Sequence, residues 1–198
     1  DTNTFEPGHP SIARSQSNLA AVLKDLGKLE EAETLLRLAL ESYEKNLEEG
    51  HPLIATVQSN LAMVLQDLGK LEEAEPLLRL ALESDTNTFE PGHPSIAIKQ
   101  SNLAMVLKDL GKLEEAETLQ RQALESDQNS FAPDHHYIAI DQYRLADVLW
   151  NLGRAEEAKP LAQKAYETLF NKFGSDHRHT KLAEKVLESM KEGSETTP

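Results

Sequence analysis

A 42-residue repeat fills almost all of this 198-residue chain. The repeat that ends at Ser42 recurs with few changes in segments that end at Ser84 and Ser126, and a looser fourth copy ends at Thr168. Repeats 1 and 3 differ at only five of 42 positions. A fixed period of this size is typical of solenoids, in which each unit buries its apolar face only against its neighbours. We therefore predict one elongated domain rather than a domain with an enclosed catalytic pocket.

Each repeat is predicted to contain two helices. In repeat 1, apolar residues recur at three- and four-residue steps from Ile12 to Leu26 and again from Leu29 to Leu47, which is helical periodicity. Pro10 suits a first helical turn, and Gly27 suits a helix end because glycine adopts the left-handed conformation at little cost. The pattern predicts a first helix of about 16 residues, here named helix A, then a tight turn and a longer helix B.

The predicted domain is a single solenoid over residues 1–192, made of repeats 1–42, 43–84, 85–126 and 127–168. Residues 177–192 carry an apolar stripe of Leu182, Val186, Leu187 and Met190, so they are predicted to form a helix that caps the last pair. Residues 193–198 are polar and are predicted to be a disordered tail. The chain begins with Asp rather than Met, so we expect it to be part of a longer protein.

The repeat resembles the tetratricopeptide repeat. It reads N-L-A-x-V-L-x-D-L-G-K-L-E-E-A-E-x-L-x-R-x-A-L, with small Ala20, Ala32 and Ala39 where that family brings its helices close together. The length of 42 exceeds the usual length of about 34. With GHP opening helix A and EEAEPL opening helix B, the repeat is similar to those of kinesin light chains and their prokaryotic relatives. This resemblance implies an all-α, right-handed superhelical solenoid of antiparallel helix pairs that acts as a scaffold or adaptor.

The resemblance also implies a peptide-binding groove, because helix A lines the concave face in this family. In kinesin-light-chain-like repeats an asparagine on helix A clamps peptide backbone, and a carboxamide offers both a donor and an acceptor for that role. This assigns the clamp to Asn18, Asn60 and Asn102, and places Arg144 fourth, where it is a candidate partner for a carboxylate. The further candidate groove residues are Lys24, Met63, Ile98, Met105, Lys108, Ile140, Tyr143 and Trp150. The open alternatives are that the asparagines bond within their helix pairs and that the methionines and Trp150 pack as core.

Composition and histidine spacing exclude several functions. The net charge of −14 argues against nucleic-acid binding, which needs clustered Lys and Arg, and against an anionic membrane surface. The chain has no cysteine, which excludes disulfides and thiol ligands and fits a cytoplasmic location. The histidine ladder is His9, His51, His93, His135 and His177. Its members would lie about 10 Å or more apart in a solenoid, whereas zinc needs its ligands within ~2 Å, so we expect a structural role.

We predict no cofactor and no enzymatic activity. Paired glutamates such as Glu30 and Glu31 are interpreted as solvated helix starts, and the sequence has no phosphate-binding loop. Leu38 and Leu80 fall on the outer face of helix B, so they and the solenoid ends are candidates for self-association, unless adjacent helices B bury them. The alternative to an adaptor is an engineered or recently duplicated architectural array, or a spacer or sensor segment of a multidomain protein, with no dedicated peptide ligand.

Overall fold

The computed structural model of the chain describes residues 9–195, except for the side chains of residues 192–195. These residues form nine α-helices. Helices A are α1 (Pro10–Asp25), α3 (Pro52–Asp67), α5 (Pro94–Asp109) and α7 (His136–Asn151). Helices B are α2 (Leu29–Asn46), α4 (Leu71–Thr88), α6 (Leu113–Ser130) and α8 (Ala155–Phe173), and α9 (Arg178–Glu195) follows them. For residues 9–195 this confirms the predicted class, an all-α array of four helix pairs and a C-terminal capping helix.

Histidine caps start the helices A. In α1, Nδ1 of His9 accepts a hydrogen bond from the backbone N–H of Ser11 at 3.1 Å, and Pro10 occupies the first turn. The bond satisfies one of the N–H groups that a helix start leaves without a partner. His51, His93 and His135 make the same bond before α3, α5 and α7. The structural role predicted for the histidine ladder is thus confirmed at these positions.

Glycine ends each helix A. Gly27 has a φ of 74°, in the left-handed region, and its N–H donates to the carbonyl of Lys24 at 3.0 Å. The N–H of Lys28 donates to the carbonyl of Leu23 at 2.8 Å, which completes a Schellman motif. The chain then reverses and α2 begins at Leu29. Because this turn depends only on neighbouring residues of the repeat, the sequence predicts where helix A ends and helix B begins.

Small residues bring the two helices of a pair together. Ala20 of α1 and Ala32 and Ala39 of α2 are fully buried, and α1 packs against α2. The equivalent alanines of the other three repeats are fully buried as well, namely Ala62, Ala74, Ala81, Ala104, Ala116, Ala123, Ala146, Ala158 and Ala165. Close backbone approach therefore recurs in every pair.

Backbone contacts divide the chain into two compact units with a boundary between Pro91 and Gly92. The N-terminal unit contains α1 to α4, and α2 packs against α3. The C-terminal unit contains α5 to α9, and α6 packs against α7. The single solenoid domain over residues 1–192 remains a prediction, and residues 1–8 of its first repeat lie outside the described residues.

The helix α9 packs against α7 and α8, as a cap does. Met190 is buried, as predicted, but the buried face differs from the predicted stripe at two residues, because Ala183 is buried and Leu182 is 37% exposed. Val186 and Leu187 are partly buried, as predicted. The helix continues to Glu195, so residues 193–195 are helical and the tail prediction was wrong for them. Residues 196–198 lie outside the described residues.

Candidate functional site

The predicted asparagine positions differ between the two units. In the N-terminal unit, Asn18 on α1 and Asn60 on α3 are exposed, and neither side chain makes a hydrogen bond to another described residue. In the C-terminal unit, Asn102 on α5 is half-buried beside Arg144 on α7. The alternative of bonding within the helix pair is therefore not seen for Asn18 and Asn60, and their carboxamides face solvent.

Arg144 is held by two side chains of α5. Its Nη1 donates to Oγ of Ser101 at 2.8 Å and to Oδ1 of Asn102 at 3.4 Å. Its Nε and Nη2 make no hydrogen bond to residues 9–191. Because Nη1 of Arg144 donates to Oδ1 of Asn102, the oxygen of that carboxamide is turned towards α7.

A cavity of about 200 Å³ in the C-terminal unit, here named the α5–α7 cavity, brings four predicted groove residues together. Ile98, Asn102, Ile140 and Arg144 all line it. Ile98 is 43% exposed, whereas Ile140 is buried. The remaining lining residues are Ala97, Ser101, Asp127, Tyr137, Asp141 and His179. The cavity therefore combines an apolar wall with a set of charged and polar groups that the sequence analysis did not assign to the site.

Two buried carboxyl groups line the α5–α7 cavity. Oδ1 of Asp141 accepts hydrogen bonds from Oγ of Ser101 at 2.8 Å and from Nε2 of Gln120 at 2.9 Å. Asp127, on α6, hydrogen-bonds to Asp141. Burial, and then the charge of Asp141, raise the pKa of Asp127 to about 7. Burial also raises the pKa of Asp141, although the bonds from Ser101 and Gln120 and the charge of Arg144 oppose this rise. Asp127 is thus the proton donor of the pair and Asp141 the acceptor.

The two predicted groove lysines form ion pairs between neighbouring helices A. Nζ of Lys24 lies 3.2 Å from Oδ2 of Asp67, and Nζ of Lys108 lies 2.6 Å from Oδ2 of Asp147. For Lys108, burial acts to lower the pKa, but the charges and hydrogen bonds of Asp147 and Asp109 outweigh burial and raise it. Both lysines are therefore charged groups that already hold an acidic partner.

Two predicted groove residues belong mainly to the core. Tyr143 is only 4% exposed and packs with Leu169 and Ala183, because α9 covers this part of α7. Its expected groove position was wrong, and its hydroxyl lies 3.1 Å from Nδ1 of His179. Trp150 is partly buried and packs against the core cluster that contains Met190 of α9. Nζ of Lys159 lies 6.0 Å from the centre of the Trp150 ring. Met63 and Met105 are half-buried.

The exposed leucines of the helices B were expected to be candidates for self-association unless adjacent helices buried them. Leu38 is 46% exposed and Leu80 is 51% exposed. Leu80 lines a cavity of about 710 Å³ in the N-terminal unit, together with Leu47, Ile54 and three glutamates, Glu44, Glu49 and Glu83. About half of each leucine surface thus remains in solvent.

The C-terminal unit holds further histidines. His177 starts α9 by accepting from the N–H of His179 at 3.3 Å. Burial, followed by the charges of Arg144 and Arg178, lowers the pKa of His179 to about 4. Among the side chains of residues 9–191, no group of three or more His, Cys, Asp or Glu has an arrangement that fits a metal ion.

Sequence reasoning missed Asp127, Asp141, Gln120 and His179. A partial signal did exist in the repeat: Asp127 occupies the position of Tyr43 and Asp85, and Asp141 occupies the position of Ser15, Val57 and Lys99. Because repeat 2 has an apolar residue, Tyr43 or Val57, at each position, an aspartate there indicates a buried polar group. His179 occupies the position of Leu53, Ser95 and Tyr137. Since none of these is a histidine, the repeat gave no signal for it.

A sequence profile described as tetratricopeptide repeat matches residues 11–87, 53–98 and 95–169. A solved structure of a putative kinesin light chain from Podosopora anserina, described by its nearly identical TPR-like repeats, is 26% identical, covers 96% of this chain and 90% of its own, and has a TM-score of 0.76. BtubC (BKLC) from P. vanneervenii is 21% identical over 96% of this chain and 83% of its own, with a TM-score of 0.68.

YrrB, described as a TPR protein with an unusual peptide-binding site, is 22% identical over 88% of this chain and 75% of its own, with a TM-score of 0.55. None of the curated proteins matches the chain. Among the described residues, every helix is too short or too polar to cross a membrane.

Proposed function

Because this chain is a member of the tetratricopeptide repeat family, we propose that it is a protein-interaction scaffold that binds an extended peptide through its helices A. The proposed backbone clamp consists of Asn18, Asn60 and Asn102, with Arg144 as an additional cation. The neighbour YrrB, which is described as having a peptide-binding site, supports this class of function at the level of the fold.

The observation that carries the proposal is the state of Asn18 and Asn60. The two residues occupy the same repeat position. Both carboxamides are exposed, and neither makes a hydrogen bond to another described residue. A carboxamide presents a donor and an acceptor with the spacing of a peptide group, so it can bond to peptide backbone of any sequence. Exposed carboxamides at one repeat position are therefore available to an extended ligand without any rearrangement of the helices.

A peptide array followed by a double substitution tests the clamp. We expect Asn60→Ala plus Asn102→Ala to weaken binding of an array-selected peptide about tenfold or more, since each lost hydrogen bond contributes on the order of 1 kcal/mol. Isothermal titration calorimetry would measure the two dissociation constants.

The chain offers a matched control for this experiment. Asn87 and Asn129 lie on helices B at one shared repeat position, each 27 residues after a clamp residue, and both are exposed. Asn87→Ala plus Asn129→Ala removes two carboxamides from the same two helix pairs, α3 with α4 and α5 with α6, and should leave affinity unchanged. Equal affinities for the two double variants would refute the clamp.

A second candidate function is an architectural array without a dedicated peptide ligand, as a duplicated or engineered module or as a spacer or sensor segment. The close identity of repeats 1 and 3 favours it, because recognition of different ligand residues tends to diversify the groove positions. The pairing of Lys24 with Asp67 and of Lys108 with Asp147 also favours it, since these charges already satisfy each other. If no peptide on the peptide array bound to the chain, that result would support the architectural function.

The proposed scaffold is non-catalytic and works in the cytoplasm, where a cysteine-free chain needs no disulfides for stability. It binds neither nucleic acid nor a membrane, in line with the net charge of −14.

The proposed scaffold also self-associates through the outer face of α1, defined by Leu19, Val22 and Leu26. These side chains are 52%, 54% and 67% exposed.

A further inference from the structure

The α5–α7 cavity contains an acidic group whose local partners do not satisfy it. Asp127 is only 5% exposed. Its carboxyl group has one hydrogen-bond partner among the described residues, and that partner is the carboxyl group of Asp141. A buried carboxyl group is ordinarily stabilised by N–H or O–H donors, and its desolvation is costly without them. The arrangement therefore leaves room for a donor that approaches from the cavity.

Asp141, in contrast, is anchored by protein donors. Its Oδ1 accepts from Ser101 and Gln120, and Ser101 in turn accepts from Nη1 of Arg144. These bonds fix the position of the carboxylate at the cavity wall. They also direct the Nη1 donor of Arg144 towards Ser101 and Asn102 rather than towards either carboxyl group.

The ionised groups that face the cavity carry one more negative charge than positive charge. Asp127 on α6 and Asp141 on α7 would carry two negative charges when both are ionised, and Arg144 on α7 supplies one positive charge. His179 on α9 is neutral near pH 7, because its pKa is about 4. The cavity is neutral either with one proton on the carboxyl pair or with one cation bound. An anionic ligand would leave a net negative charge in both cases.

The shape and the apolar wall of the cavity suit one long side chain. The volume of about 200 Å³ is below the range of roughly 300–1,000 Å³ that is usual for pockets of drug-sized ligands. Ala97, Ile98 and Ile140 provide an apolar wall, against which the methylene groups of a lysine or arginine can pack. The cationic head would then lie beside the two carboxyl groups.

We propose that the α5–α7 cavity binds a basic side chain of the peptide ligand, lysine or arginine, with its cationic head between Asp127 and Asp141. This inference rests on the proposed function, because the side chain belongs to the bound peptide. On binding, the proton that Asp127 shares with Asp141 is released to solvent, and the bound cation takes its place between two ionised carboxylates. Binding is therefore tighter at pH 8 than at pH 5.5.

The cavity can be tested without a known ligand. The probe is N-acetyl-lysine N-methylamide, titrated into the ¹⁵N-labelled chain at pH 8 and followed by NMR, and the control compound is the norleucine analogue, which lacks only the amino group. We expect the lysine compound to shift the amide signals of Ser101, Asp127 and Asp141 with saturation in the millimolar range. The norleucine compound should leave these signals in place.

A variant pair separates the cavity from general acidity of the surface. Asp127→Asn keeps the shape of the side chain and should abolish the response to the lysine compound. Asp134→Asn removes an exposed aspartate of the same unit that does not line the cavity, and should leave the response unchanged. Equal shifts with lysine and norleucine compounds, or an unchanged response in Asp127→Asn, would overturn the proposal.

A second arm separates the failure of this inference from the failure of the proposed function. In any peptide selected on the array, each lysine or arginine is replaced in turn by norleucine. One replacement should weaken binding at least tenfold in the wild-type chain and by a much smaller factor in Asp127→Asn. Peptides that bind with no dependence on a basic residue would overturn the inference and leave the proposed function intact. If no peptide binds, the proposed function fails and the lysine compound still decides the chemistry of the cavity.

Discussion

Asp127 and His179 face the same cavity, and their pKa values move in opposite directions. Burial and the charge of Asp141 raise the pKa of Asp127 to about 7, while burial and nearby arginines lower the pKa of His179 to about 4. A raised carboxyl pKa means that stability is lost as pH rises from about 4 to about 7. A lowered histidine pKa means that stability is lost as pH falls from about 6.5 to about 4. The two effects offset each other in the wild-type chain.

Substitution of Asp127 should expose this balance. We expect Asp127→Asn to stabilise the C-terminal unit at pH 8 by on the order of 2 to 4 kcal/mol more than at pH 4.5, because each pKa unit corresponds to about 1.4 kcal/mol. The fluorescence of Trp150, the single tryptophan, reports urea unfolding of this unit.

Asp134→Asn serves as the control for that experiment, since Asp134 is an exposed loop residue. Its effect should be the same at both pH values. The same pH-independent effect in Asp127→Asn would show that Asp127 titrates as an exposed carboxyl group does. In Asp127→Asn the opposing slope of His179 should also appear, as a stability that rises between pH 4 and pH 6.5.

Helix B tolerates a proline at one repeated position. Pro76 is the sixth residue of α4, and Pro160 is the sixth residue of α8, whereas α2 has Thr34 there. Oγ1 of Thr34 donates to the carbonyl of Glu30 at 2.9 Å. Proline has no N–H for the carbonyl one turn earlier and crowds it. The repeat therefore offers a built-in comparison of proline and threonine in one helical environment.

We expect Pro76→Ala to stabilise the chain by about 1 to 2 kcal/mol. Removing proline from a helix interior gains up to about 3 kcal/mol, and the greater freedom of the unfolded chain offsets about 1 kcal/mol of that. Pro76 is exposed, so the change leaves the core intact. Thermal unfolding followed by circular dichroism gives the comparison with Thr34→Ala, which should change stability by less. Identical effects of the two substitutions would contradict a proline penalty in α4.

The helices were predictable from the sequence because their signals are local. Pro10, Gly27 and their copies fix helix starts and ends through capping chemistry that needs only a few neighbouring residues. The cavity was not predictable, because it depends on what other elements bring to α7. Asp127 comes from the end of α6, and Tyr143 is covered by α9, which packs against α7 and α8 as α3 packs against α1 and α2. Repetition reveals shared packing and hides the features of a single repeat.

The outer face of α1 is an apolar surface that is exposed, although the equivalent face of α3 is buried. Leu19 and Val22 of α1 are 52% and 54% exposed, whereas the equivalent Leu61 and Val64 of α3 are each 1% exposed, because α2 packs against α3. The outer face of α1 thus has the residues of a covered helix surface and, among the described residues, no helix that covers it. A contiguous exposed apolar surface of this kind marks an interaction site.

We expect the wild-type chain to self-associate through this face with increasing concentration, and Leu19→Gln plus Val22→Gln to remain monomeric over the same micromolar range. Sedimentation velocity would measure both, and circular dichroism would show that α1 remains helical, since glutamine is a good helix former.

The matched control variant is Leu38→Gln plus Leu80→Gln, which removes two leucines of the helices B that are 46% and 51% exposed. It should associate as the wild type does, because Gln122 and Lys164, at the same position in the other helices B, are exposed too, so no neighbouring helix covers this position in any pair. Loss of association in the helix B variant alone would move the interface to Leu38 and Leu80, and a monomeric wild-type chain would rule out both surfaces.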